Sequence, residues 1–189
     1  QAISYAIDNK TLAEAVFRGS ASPANSPLPS AVAGHKDIDY YEQNIELAKK
    51  LLAEAGYPNG FPLKLWVNDE STRVDMCVII QGQLKEIGID VDIEVFEWGT
   101  FLTKTLEHNK PLYLFSWNGS TGDADGILSP MFHSSQRDVS ANRSNYFSPK
   151  VDSLLDMART SIDEEKRLSL YKEAQEEIQK GFTSLYSCL

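Results

Sequence analysis

Apolar positions recur every three to four residues through most of the chain, and the places where that period breaks divide it into elements. Ile3, Ala6 and Ile7 open a helix within QAISYAIDNK, and Asp8 caps a second helix through LAEAVF, with Leu12, Ala15 and Val16 on one face and a stop at Gly19. From Ser20 to Tyr41 three prolines (Pro23, Pro27, Pro29) and no period predict a loop, of a length that in compact domains usually serves function or covers an interface. NIELAKKLLAEAG resumes helical spacing, burying Ala48, Leu51, Leu52 and Ala55 and stopping at Gly56 ahead of Pro58. Three short apolar runs follow, LKLWV (63–67), VDIEV (91–95) and LYLFS (112–116), separated by helical patterns over 72–87 and 98–108. Strand, helix, strand, helix, strand at this spacing predicts an α/β fold whose central sheet is built from parallel strand-helix-strand crossovers with flanking helices. Ser148 and Pro149 start a helix through VDSLLDMARTS. Ser161 with Glu164 predicts a capping box for EEKRLSLYKEAQEEIQKG, where Leu168, Tyr171, Ala174 and Ile178 share a face opposite solvated glutamates and lysines. TSLYSCL reads as a final strand.

Composition narrows the function classes. A length of 189 residues with 42% hydrophobic content fits a single domain over 1–189. Eighteen basic against 27 acidic residues give a net charge of -9 with no dense basic cluster, which excludes nucleic acid as the expected partner. No apolar run approaches the roughly 20 residues needed to span a bilayer, so no direct membrane insertion is expected. Cys77 and Cys188 are too few for a disulfide framework or zinc site, and Cys77, in MCVII, reads as core. His35, His108 and His133 lie apart without ligand spacing, so neither a metal site nor a cofactor is expected. The chain starts inside a helix and ends on a strand without a following partner, which reads as a fragment of a longer protein.

Parallel strands share a carboxyl edge, and in open α/β sheets ligands bind beyond it. The loops leaving that edge here are 68–72, 97–99 and the glycine-rich SWNGSTGDADG of 116–126. If Gly126 is the sixth position of a calcium loop, the first is Thr121 and the twelfth is Phe132, where a glutamate is required, so the metal reading fails on spacing. Gly119, Gly122 and Gly126 match neither phosphate-binding glycine pattern. Asn118-Gly119-Ser120 and Asn142-Arg143-Ser144 fit glycosylation sequons, a pattern common by chance. No Gly-x-Ser-x-Gly elbow is present, so no catalytic residue is assigned, although an α/β hydrolase stays as an alternative. Asp123 and Asp125 are expected to cap the helix beginning near Gly126. What remains is recognition: Trp117 and Trp98 either wall a small-molecule site or plug the core, and Asn118, Gly119, Ser120, Thr121 and Asp123 offer polar groups on an open backbone.

Six ordered stretches carry a resemblance across essentially the whole chain: QAISYAIDNKTLAEAVFRGSASPA, YEQNIELAKKLLAEAGYPNGFPLKLWV, QLKEIGIDVDIEVFEWGTFL, SWNGSTGDADGILSPMF, NYFSPKVDSLLDMA and EEKRLSLYKEAQEEI. They resemble the extracytoplasmic solute-binding proteins of peptide-type ABC transporters, which include dipeptide, oligopeptide, nickel and glutathione receptors. The resemblance implies one lobe of a type II periplasmic-binding-protein fold, a non-enzymatic role, a peptide or peptide-like ligand and delivery to an inner-membrane ABC permease. It also implies a periplasmic or extracytoplasmic location, a cleft closed by hinge motion, and weak binding by the lobe alone. In peptide receptors the third residue after the loop tryptophan is typically an aspartate that pairs with the ligand's α-amino group; here it is Ser120. The loop is more similar to the glutathione-binding branch, Asp123 is left as a source of negative charge, and Arg143 and Asn145 are candidates for a ligand carboxylate, Arg143 also reading as an ordinary surface arginine. A haem or nickel receptor on the same scaffold is the other alternative.

Overall fold

The second and third helices of the chain each begin where a side chain meets the backbone N–H groups that a first turn leaves unpaired. The computed structural model describes residues 1–38, 41–117, 122–137 and 141–181. Helix α1 (Ala2–Ala6) leads into α2 (Asn9–Phe17), whose cap Asp8 accepts from the Lys10 and Thr11 N–H groups at 2.9 and 3.2 Å. Asp8→Ala is therefore expected to lower stability by about 1 kcal/mol in chemical denaturation. Asn44 likewise caps α3 (Ile45–Glu54), which buries Ala48 and Leu52 but leaves Ala55 exposed, because the helix has already ended there.

Strand β1 (Pro62–Asn68), helix α4 (Ser71–Lys85), strand β2 (Asp90–Phe96), helix α5 (Trp98–Lys104) and strand β3 (Leu112–Tyr113) follow in the expected alternation. Their sheet has the order β2-β1-β3 and is parallel throughout, with Pro62 opposite Asp90, Asn68 opposite Phe96, and Leu65 opposite Leu112. The middle strand is accordingly the one with a run of buried residues, Leu65 to Asn68. Helix α5 ends four residues earlier than its periodicity predicts. The Thr105 hydroxyl takes the carbonyls of Phe101 and Leu102 at 2.9 and 3.1 Å, and tight turns close over Leu106 and Glu107. Strand β3 is also shorter than expected, since its ladder reaches only the Leu114 N–H, bonded to the Trp66 carbonyl at 2.9 Å.

Beyond the sheet come α6 (Asp125–Phe132), a 3-10 turn (Ser134–Gln136), α7 (Pro149–Thr160) and α8 (Glu164–Gly181). Ser148 caps α7 with Pro149 in its first turn, as expected. The cap of α8 is a correction: Asp163 accepts from the Lys166 N–H at 3.1 Å, whereas the Ser161 hydroxyl turns to the Asp163 carbonyl at 3.0 Å. An aspartate adjoining the helix reaches its orphan N–H directly, which leaves the serine outside. The strand expected at 183–189 lies outside the described residues.

The described residues pack as two compact units. The first takes 1–23 and 41–115, with a core around the sheet that includes Leu65, Val67, Leu84, Ile89 and Phe101. Cys77 lies in it, fully enclosed, and burial pushes its thiol up to about 12, so it is packing and not a reactive group. The second takes the described parts of 24–40 and 116–186 and is centred on Leu28, Leu128, Phe132, Leu155, Tyr171 and Ile178. In this unit α8 holds the proline-rich stretch through Gln175 and, by an ion pair to Lys36 at 3.2 Å, through Glu176. Gln175, fully buried, accepts from the Ser26 hydroxyl (2.6 Å) and the Lys36 N–H (3.3 Å) and donates to the carbonyls of Gly34 (2.7 Å) and Tyr171 (2.9 Å).

Candidate functional site

In the first unit the carboxyl edge of the sheet carries a polar and aromatic shelf. Asn68 ends β1 with its side-chain oxygen accepting from an Arg73 guanidinium nitrogen at 2.7 Å. Arg73 in turn lies over the Trp98 ring, 5.7 Å from its centre. Trp98 begins α5 directly beyond β2, because Glu97 caps that helix by accepting from the Thr100 N–H at 3.1 Å. The Gly99 and Thr100 N–H groups hold the Glu97 carboxyl below its usual range, so it stays ionised as a cap. The Trp98 ring runs almost parallel to Phe115 (5° between planes, centres 6.3 Å apart) and leans on Phe101 at 6.1 Å. With 42% of its surface exposed, Trp98 is not a core plug. It presents aromatic surface where the strands end.

In the second unit Trp117 is half-buried against the core. Its orientation follows from Pro130, which sits inside α6 and has no N–H to give to the carbonyl four residues earlier. That carbonyl belongs to Gly126, and the Trp117 indole N–H takes it at 3.2 Å. The tryptophan is thus anchored by its polar edge to a vacancy in the helix ladder created by proline. Asn118, Gly119, Ser120 and Thr121, four of the residues proposed from sequence, lie outside the described residues.

Of the two loop aspartates expected to cap the helix, only Asp123 bonds an N–H of its first turn. Asp125 does not cap α6: it is the first helical residue, its carboxylate accepts from the Ser129 hydroxyl at 2.6 Å, and Arg159 on α7 lies 3.3 Å away. The capping bond comes from Asp123, whose carboxylate accepts from the Asp125 N–H at 2.8 Å. Its other oxygen is held by a guanidinium N–H of Arg167 on α8. Partial burial pushes the Asp123 carboxyl up, but hydrogen bonds from Arg167 and the Asp125 N–H and the charge of Arg167 prevail and hold it below the usual range. Asp123 is an ionised group already partnered by an internal arginine.

Arg143 and Asn145 are not surface groups in the ordinary sense either. Arg143 is only 8% exposed. Asn145 adopts a left-handed backbone (φ 56°) and helps line a hollow of about 550 Å3 with Tyr146, Phe147, Glu177 and Lys180. Both positions are set by Asn142, which sequence reading treated only as a sequon. Asn142 is completely buried; its side-chain nitrogen donates to the carbonyls of His133 (3.2 Å) and Tyr146 (2.9 Å). Its oxygen accepts from the Ser144 hydroxyl and the Tyr146 N–H, both at 3.0 Å. An amide with all these bonds and no exposure is architectural, not a sugar acceptor.

Sequence reasoning also missed Arg73, Phe115, Arg159 and Arg167. Pro130 was a readable signal for the Trp117 anchor, since a proline at the sixth position of a helix must leave a carbonyl open. Arg159 and Arg167 carried no such signal, because they lie 34 and 44 residues from the aspartates they meet.

Comparison with known proteins follows this geometry. The model of a family described as bacterial extracellular solute-binding proteins, family 5 Middle, matches residues 1–138. Heme-binding protein A of Haemophilus influenzae is 36% identical over 183 residues, covering 93% of this chain and 33% of that protein. The glutathione-binding protein GsiB of Pectobacterium atrosepticum is 34% identical over 185 residues, covering 94% of this chain and 36% of its own. Among solved structures, a dipeptide binding protein from a Pseudoalteromonas species, in complex with Met-Leu, superposes with a TM-score of 0.92 at 31% identity over 99% of this chain and 38% of that one. This chain therefore spans about a third of the length of the curated relatives it matches.

Proposed function

Because this chain belongs to the bacterial extracellular solute-binding proteins of family 5, we propose that it is one ligand-binding lobe of a receptor that captures a peptide or peptide-like solute. The receptor hands that solute to an inner-membrane ABC permease and works outside the cytoplasm. The role is binding without catalysis.

One observation carries the reading. At the carboxyl edge of a parallel sheet, the position where open α/β sheets meet ligands, Trp98 stands half open with Phe115 beneath it and the Arg73 guanidinium and Asn68 amide alongside. An aromatic surface with a few fixed polar groups suits a solute that combines apolar side chains with amide and carboxylate groups. Glutathione is favoured within that class, on the wording of the 116–126 loop and on the relative named for it. The 36% identity to a protein named for haem supports a second reading, a haem receptor on the same scaffold.

Calorimetric titration of a full-length receptor carrying this chain separates the readings. The expected result is a dissociation constant of about 1 μM or lower for glutathione, a dipeptide or a longer peptide. Tight binding of haem with no response to any of the three would overturn the peptide reading. In the same assay Ser120→Asp is expected to improve binding of an ordinary dipeptide, because a carboxylate adds charge attraction to the bond an ammonium makes with a neutral hydroxyl.

A further inference from the structure

His133 closes α6 and opens the 3-10 turn Ser134–Gln136. Its Nδ1 accepts from the Ser135 N–H at 3.1 Å, and because a backbone N–H can only donate, the neutral ring must carry its proton on Nε2. That Nε2 is buried with no hydrogen-bond partner among the described residues, and Asp156 Oδ1 lies 3.5 Å from it. Asp152 Oδ1 lies 3.9 Å from Nδ1, and the same carboxylate accepts from the Ser134 N–H at 2.9 Å and from the Ser134 hydroxyl. Both acids come from α7. Across a hollow of about 170 Å3 stand Arg159 and Asp125, paired with each other at 3.3 Å, while Arg137, on the turn itself, lies over the Phe147 ring. From the 141–148 loop the group that reaches His133 is the Asn142 amide, which donates to its carbonyl at 3.2 Å.

We propose that His133 is a protonation-operated latch on this turn, a device independent of which solute the receptor carries. With the ring neutral, Nδ1 holds the Ser135 N–H and the turn is closed. Histidine is the side chain that gains its charge between about pH 8 and 5, and here the added proton goes to Nδ1. Two donors then face each other. The Ser135 hydroxyl, 2.8 Å from Nδ1, can reverse its role and accept, but the backbone N–H cannot. The two carboxylates of α7 favour the charged ring where it stands, so the turn gives way. Ser135 is exposed, and its freed N–H therefore turns to water instead of being stranded. Ser134 stays fastened to Asp152, which confines the opening to Ser135 and Gln136. The Gln136 carbonyl accepts from the Asn142 N–H at 3.3 Å, and loss of that bond carries the opening to the loop whose Asn145 and Phe147 line the hollow of about 550 Å3.

Nuclear magnetic resonance of the chain itself supplies the test. At about pH 8 the ring nitrogen shifts of His133 are expected to place the proton on Nε2; a proton on Nδ1 would overturn the cap that the latch requires. As the pH falls toward about 5, exchange protection of the Asn142 N–H, corrected for the intrinsic pH dependence of exchange, is expected to drop about tenfold with the same midpoint as the ring. Protection that persists through the titration of the ring, or that is lost only at the lower pH where carboxylates gain protons, would overturn the latch. His133→Asn, whose side-chain oxygen can take the Ser135 N–H at every pH, is expected to abolish the drop. A drop that survives in this variant would move the effect to another group and overturn the role of His133. Should the variant not fold, the shared midpoint in the unaltered chain decides by itself.

Discussion

Gly60→Ala is expected to lower the stability of the chain by roughly 3–5 kcal/mol, the sum of a left-handed backbone penalty and an overpacking penalty. Gly60 has φ of 74° and lies in the turn that feeds β1; Gly88, with φ of 84°, lies in the turn that feeds β2. The two backbones touch. A methyl group on Gly60 would run into the Gly88 carbonyl, and even the Gly88 Cα would be only 2.8 Å from it. The obstacle is backbone on both sides, so no side-chain rotation relieves it, and the neighbouring Phe61 carbonyl already holds the Asp90 N–H at 3.1 Å. Chemical denaturation monitored by tryptophan emission should show the midpoint falling accordingly. A change below about 1 kcal/mol would mean that the two turns separate at little cost.

Asn142→Leu is expected to cost roughly 3–5 kcal/mol, through a different route. Leucine fills much the same volume, but the carbonyls of His133 and Tyr146 lose their donor and the Ser144 hydroxyl loses its acceptor. The Tyr146 N–H keeps a longer bond to the Ser144 hydroxyl at 3.3 Å, which limits the loss. Each buried group left unpaired costs about 1–3 kcal/mol. Hydrogen exchange should localise the effect: the Asn145 and Tyr146 amides exchange faster, while amides of the β1-β2 ladder keep their protection. Equal acceleration in both places would show that Asn142 supports more than its own loop.

What could be read from one sequence differs by the range of the interaction. Asp8 and the Ser148-Pro149 pair were legible because a cap and the N–H it serves are at most three residues apart. The parallel sheet was legible because its crossovers follow from the alternation of strand and helix patterns. The end of α5 was not, since Thr105 acts on carbonyls of the preceding turn and carries no period of its own. The cap of α8 was misjudged for a related reason: two capping residues stood close together, Ser161 and Asp163, and only geometry decides between them. At the candidate site, the residue types were legible and the partners were not. Trp98 and Trp117 were each balanced between wall and plug. Trp98 proved open, with 42% of its surface exposed although Phe115, Phe101 and Arg73 lie against it, and Trp117 proved tethered through the carbonyl left by Pro130. Asp123 looked available because Arg167, which occupies it, belongs to a helix whose charges read as solvated.

Helix α8 carries Arg167, Tyr171 and Gln175 at intervals of four, so all three project from one side of it. Arg167 grips the start of α6 through Asp123, and Gln175 grips the proline-rich stretch at Ser26, Gly34 and Lys36. These two stretches are separated by almost a hundred residues of chain, yet each is fastened to the same rigid rod within about 12 Å along its axis. Mechanically they are one body: a sideways displacement or rotation of α8 transmits to both at once, and neither can swing while the rod stays still without breaking a buried or charged bond.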